Sequence, residues 1–280
     1  MDLPDDRDVL GRLIANRYLI EAPCERTRAS SSYRAYHLAL DRMVLLRILP
    51  ARSGVSRDAC RRALLLAERA SGLPSAHIGR SLDVGLVEGR FPFVIQEYSK
   101  GRSLQHALDS NGPFEIQRLL SVGRQLAAAL ETAHAAGERH GNLRLDNIWL
   151  ESLAAKPDWL RLFGFGLAEL PEGEFDGPDS GVFRRATEAI AGLDQVSGSL
   201  VRTDIYGFGA CLFELASGTR PSWTPGDIAS ILDSDLSRAP GLGPRAVLRG
   251  LARVLERCLF LVPDTNYQSM REISADLGHL

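Results

Sequence analysis

Lysine is nearly missing from this 280-residue chain: of its 33 basic residues only Lys100 and Lys156 are lysine, and the rest are arginine. No arginine run exceeds two residues, so the bias reads as codon usage of a GC-rich genome rather than as a basic surface. A dominant charge is also lacking. The formal net charge is −2, which gives no reason to expect a nucleic-acid or membrane-surface partner. Cysteine is scarce: Cys24, Cys60, Cys211 and Cys258 are widely spaced and form no CxxC pair. That argues against a zinc site and a disulfide framework, and fits a reducing cytoplasm. No apolar run reaches the ~18 residues of a membrane span. The opening MDLPDDRDVLG is acidic and polar, so no signal peptide is expected. What is present is an ordinary soluble composition, 45% hydrophobic and 24% charged, long enough for one large domain or two lobes.

Residues 1–16 read as a polar lead-in. Between Arg17 and Pro50 the pattern is strand-like, with Tyr18-Leu19-Ile20, Ser32 to Tyr36, and an apolar run from Met43 to Leu49 that Pro50 ends; such a bounded run predicts a buried strand. Residues 57–71 read as a helix stopped at Gly72. Ile78 to Tyr98 again reads as strands, with Glu88-Gly89-Arg90 as a hairpin turn. Helical periodicity takes over in Ile116–Ala136, Arg202–Ser217, Ala246–Leu259 and Ser269–Gly278. Residues 138–200 read as loop-rich, with one strand around Trp159–Leu162. The texture changes at the polar connector Ser99-Lys100-Gly101. Strands first and helices second predict an α+β chain of two lobes, 17–98 and 99–280, with a ligand cleft between them.

Four segments, in order, resemble the bacterial serine/threonine protein-kinase family. Arg17-Tyr18-Leu19-Ile20-Glu21 is similar to its opening strand, and Phe93 to Tyr98 followed by Gly101-Arg102-Ser103-Leu104 to its hinge. His140-Gly141-Asn142-Leu143-Arg144-Leu145-Asp146-Asn147-Ile148 stands where the family carries HRDLKPxNI. Asp204 to Gly209, with Phe213-Glu214-Leu215 and Gly218-Thr219-Arg220-Pro221, resembles the central helix of the second lobe. The likeness runs from about residue 17 to residue 280 and implies a two-lobed protein-kinase-like fold, with a β-rich N-lobe and an α-helical C-lobe.

The resemblance also says which chemistry to look for. Phosphoryl transfer needs magnesium held, phosphates covered and a substrate hydroxyl oriented. The three glycines of the family's phosphate loop fall on Glu25, Thr27 and Ser30. Its phosphate-binding lysine falls on Arg47, whose planar guanidinium is no copy of an ammonium, and the helix glutamate that pairs with it falls on Leu66, with Glu68 about 200° further round the helix. The catalytic aspartate is Asn142, an amide of similar shape without basicity. The arginine before that aspartate is Gly141, and the lysine after it is Arg144. The magnesium aspartate of DFG is Gly164, with Phe165 and Gly166 retained. Of the metal-ligand positions Asn147 alone is kept, and magnesium prefers carboxylates. Its neighbour Asp146 reads as a solvated loop acid. Ala186-Thr187-Glu188 resembles a worn A-P-E, whose partner arginine falls near Asn266.

The architecture is thus kept and the chemistry taken apart, as in a pseudokinase. The degenerate positions Asn142, Arg144 and Gly164 are expected to carry no catalysis. Arg47, Thr27, Ser30, Glu97 and Asn147 are the candidate nucleotide contacts. No cofactor is expected, and any ATP binding should be slight and independent of magnesium. A protein partner is expected, with an atypical ATP-dependent kinase or a nucleotide-binding switch as the alternatives.

Overall fold

The computed structural model describes residues 6–27, 30–50, 55–153, 156–170, 199–219, 245–259 and 266–280. The Ala186-Thr187-Glu188 motif lies outside them. The chain divides into two compact units, Met1–His106 with Asp146–Glu174, and Ala107–Leu145 with Phe175–Leu280.

The first unit holds a six-stranded antiparallel sheet in the order β1-β2-β3-β4-β6-β5. Its strands are β1 (Leu13–Ile14), β2 (Tyr18–Arg26), β3 (Ser31–His37), β4 (Arg42–Ile48), β5 (Ser81–Val87) and β6 (Phe91–Glu97). The apolar run ending at Pro50 is β4, buried from Val44 to Ile48. The β5–β6 connection Glu88-Gly89-Arg90 puts Glu88 and Gly89 at positive φ, 54° and 72°, and Arg90 N donates to Val87 O at 3.1 Å. The lead-in is more than polar. It carries α1 (Asp6–Val9) and β1, and Val9 and Ile14 join Tyr18, Tyr33 and Leu46 in one core.

Helix α2 (Arg57–Ser71) packs on β5 through small side chains, Ala59, Cys60, Ala63, Ala67 and Ala70. It starts because the Ser56 side chain accepts from Ala59 N, and it stops at Gly72, whose N–H reaches the Glu68 and Arg69 carbonyls. A second sheet, β7-β8-β9, comprises Arg102–Ser103, Ile148–Leu153 and Lys156–Leu162. Strand β8 was not foreseen. Its Ile-Trp-Leu start is too short an apolar run to show a period of two.

The second unit is helical. It contains most of α3 (Leu104–Asn111), then α4 (Ile116–Ala135), α5 (Ser199–Ser217), α6 (Arg245–Leu259) and α7 (Met270–Gly278). The predicted helices agree with these bounds to within three residues. Leu119, Leu120, Leu126 and Leu130 line the buried side of α4, and the Leu212 side chain of α5 lies against Gly123, 3.3 Å from where a Cβ would stand. The Arg257 guanidinium lies 3.8 Å from the Tyr267 ring centroid and donates to Asp276 Oδ2 at 2.7 Å, joining α6 to α7.

Candidate functional site

In the first unit the structure gathers Ser30, Arg47, Asn147 and Gly164. Arg47 lies on β4 and is only 2% exposed. Its Nη1 donates to Asn147 Oδ1 at 2.8 Å and its Nη2 to Ser30 Oγ at 3.1 Å. The planar fork thus bridges a hydroxyl and an amide 117 residues apart in sequence (147 − 30), a geometry a lysine ammonium reproduces poorly. Asn147 ends a single helical turn, Leu145–Asn147, is 2% exposed, and accepts from Phe163 N through its carbonyl at 2.8 Å. Gly164 follows Phe163 at φ +101°, and a Cβ built there would stand 2.9 Å from Asn147 Cγ and Nδ2. The Asn147 amide therefore fills the space that a side chain at position 164 would need.

Thr27 and Ser30 close a tight turn. Thr27 Oγ1 accepts from Ser30 N at 3.1 Å, and Thr27 N donates to Ser30 O at 2.9 Å. Glu25 faces away from any phosphate role. Its Oε2 accepts from Ser103 N at 3.2 Å and its Oε1 from Ser103 Oγ. Beside it, Arg102 Nη1 donates to Cys24 O at 2.8 Å. The end of β2 is thereby clasped to β7. Burial pushes the Cys24 thiol above its ordinary range. Glu97 is an ion-pair residue: its carboxylate accepts from Arg80 N at 3.0 Å and meets the Arg161 guanidinium.

Leu66 is half-buried and Glu68 exposed on α2, so Glu68 is a surface charge, as read. Asp146 is not solvated; it is 4% exposed, a correction to the sequence reading, because the turn at Leu145–Asn147 carries its side chain inward. Sequence reasoning also passed over Gln96, fully buried opposite Leu45 with no hydrogen-bond partner for either amide atom among the described residues. An amide directly after the apolar run Phe93-Val94-Ile95, still within the strand, was the available signal.

In the second unit Asp204 of α5 anchors the loop that carries Asn142. Its Oδ2 accepts from His134 Nε2 at 2.8 Å and from His140 N at 2.9 Å, and its Oδ1 from Gly141 N at 2.7 Å. Burial pushes its carboxyl up, but the His134 bond, the neighbouring imidazoles and the His140 N–H hold it below the ordinary range. Gly141 takes φ +70°, a conformation that favours glycine. Asn142 and Arg144 are half-buried on this loop. Asn266, where a buried ion pair was expected to be broken, has its Oδ1 buried without a hydrogen-bond partner among the described residues.

A family profile described as "Protein kinase domain" matches residues 33–239. The chain belongs to the protein kinase family. Serine/threonine-protein kinase pkn3 of Myxococcus xanthus is 30% identical over 225 residues, 79% of this chain and 41% of that protein. A probable serine/threonine-protein kinase of Clostridium acetobutylicum is 26% identical over 97% of this chain and 41% of its own length. This kinase-family chain thus spans about two fifths of those relatives. Among solved structures, the PknI kinase domain of Mycobacterium tuberculosis superposes with a TM-score of 0.64 at 21% identity, covering 100% of this chain and 99% of that one. The Neurospora crassa PAN3 pseudokinase gives 0.66 at 16% identity, covering 98% and 66%. Both likenesses establish the kinase fold, as expected from the sequence. No helix among the described residues of this kinase-family chain is long and apolar enough to cross a membrane.

Proposed function

We propose that the chain is a pseudokinase, a kinase-shaped regulatory module of the cytoplasm that presents its surface to a protein partner and does not transfer phosphate. The observation that carries this reading is the Ser30–Arg47–Asn147 bridge with Gly164 packed against it. The family's lysine position bonds to its remaining metal-ligand position, and the second metal position has no side chain.

Magnesium–ATP fits these residues poorly. Asn147 Oδ1 accepts from a cation, and Thr27 and Ser30 are bonded to each other. Among the described residues no three His, Cys, Asp or Glu side chains gather as a metal ion would need. An amide at Asn142 supplies no general base. Each such loss removes several kcal/mol of transition-state stabilisation, about 1.4 kcal/mol per factor of ten in rate. The four cysteines are free, which supports the cytoplasmic placement.

Calorimetric titration of ATP, with and without magnesium, tests the reading together with a γ-phosphate transfer assay. The expected result is no magnesium-dependent binding and no transfer. Magnesium-dependent binding, with transfer abolished by Asn142→Ala, would refute it in favour of an atypical kinase. Binding indifferent to magnesium would make the module a nucleotide-responsive switch.

A further inference from the structure

Leu45 of β4, Trp149 of β8 and Phe163 after β9 form one buried cluster, with Cys24 packed against it. Trp149 is 2% exposed. Its ring meets the Phe163 ring edge-on, centroids 6.3 Å apart at 84°, and its Nε1 donates to Asp146 O at 3.3 Å. The large sheet and the small sheet of the first unit are therefore joined here through a flat bicyclic side chain. Two further observations bear on this place. Ser103, which holds Glu25, pairs with Trp149 across the β7–β8 register, so the clasp on β2 closes beside the indole. Gln96 lies opposite Leu45 across the β4–β6 register, and directly opposed residues share one face of a sheet. Its amide, unpartnered among the described residues, is thus on the face that packs on the indole. An indole carbon edge cannot satisfy that amide, whereas the ring nitrogens and exocyclic amine of a purine can.

We propose that the Trp149 indole is an internal occupant of a heterocycle slot: the chain fills, with its own side chain, a flat space between Leu45 and Phe163 that is sized for a bicyclic base and edged by the Gln96 amide. The Cys24–Glu25 end of β2, held by Ser103 and Arg102, closes that slot. This deepens the pseudokinase reading and rests on it, since a slot filled from within needs no nucleotide to complete its packing. Removing a buried ring leaves a cavity that an apolar or aromatic molecule can enter.

The test uses Trp149→Ala, free indole and adenosine, with thermal unfolding and calorimetry. Indole and adenosine should each raise the unfolding midpoint of Trp149→Ala and leave the unsubstituted protein unmoved. Adenosine should bind the variant at least about tenfold more tightly than the parent. Adding Gln96→Leu should weaken adenosine and spare indole. The proposal is overturned if adenosine binds the parent as well as the variant, or if a folded variant takes up neither probe or indole alone. Should Trp149→Ala fail to fold, a chain with Trp159→Phe and Trp223→Phe reports Trp149 alone. Its emission should resist acrylamide, and Glu25→Ala should raise the quenching constant several-fold; quenching at the level of free tryptophan in the parent overturns the slot. The outcomes separate from those above: phosphate transfer by the parent refutes the pseudokinase reading, whereas loss of the slot with no transfer leaves that reading standing.

Discussion

Placing a methyl group on Gly164 should damage the site through Asn147, and the size of that damage follows from the geometry. Gly164 sits at φ +101°, where a non-glycine residue costs about 1–2 kcal/mol. The added Cβ would stand 2.9 Å from Asn147 Cγ and Nδ2, so the amide must move. Moving it breaks the 2.8 Å bond from the buried Arg47 guanidinium, a bond to a charged group with a net contribution of about 1.5–3 kcal/mol. Gly164→Ala should therefore cost about 2.5–5 kcal/mol, against a typical total stability of about 5–15 kcal/mol. A double-mutant cycle isolates the steric part. In an Asn147→Ala background the amide and its bond are already gone, so only the backbone term remains. Urea unfolding followed by circular dichroism should then give a coupling of about 1.5–3 kcal/mol between the two positions. Additivity within about 0.5 kcal/mol would refute the claim that the Asn147 amide occupies the space of a side chain at position 164.

Gln96→Leu should raise stability by about 1–3 kcal/mol, because it removes a buried amide left without hydrogen bonds; a lower urea midpoint would contradict this. Arg47→Lys should lower the midpoint by an amount equivalent to about 1–3 kcal/mol, since an ammonium cannot span Ser30 Oγ and Asn147 Oδ1 as the fork does. Asp204→Asn should cost about 3–5 kcal/mol, because an amide has one acceptor oxygen for three converging N–H groups. The folded Asp204 carboxyl is held below its usual 3.8. Its contribution is therefore fully present above about pH 4 and is lost as the pH falls through the folded value. An acid titration of stability should lose that limb in Asp204→Asn.

Much of the fold was legible because it rests on local pattern. The span of α2 and its stop at Gly72, the turn at Glu88-Gly89, and the period of α4 are all written within a few residues of where they act. The replacements at positions 142 and 164 and the retained Asn147 were legible too, since motif order located them. What those residues do to one another was not. Arg47 meets Asn147 across 100 residues, and Glu25 meets Ser103 across 78; no local periodicity encodes such contacts. Asp146 shows the same limit: it is 4% exposed on the Leu145–Asn147 turn, a burial that its sequence neighbours do not announce.

The alanine face of α2 has a mechanical consequence. Gly166, at φ +81°, lies so close to the helix that a Cβ on it would come within 3.0 Å of the Ala63 carbonyl carbon, and Leu167 and Leu170 enter the same core as Ala59, Cys60 and Ala63. With no side chain between Gly166 and Ala63, the loop meets the helix backbone to backbone at that step. Any displacement of the Phe165-Gly166 step must carry α2 with it. The two behave as gear teeth rather than as neighbouring parts, and a bulky residue at position 63 would disengage both at once.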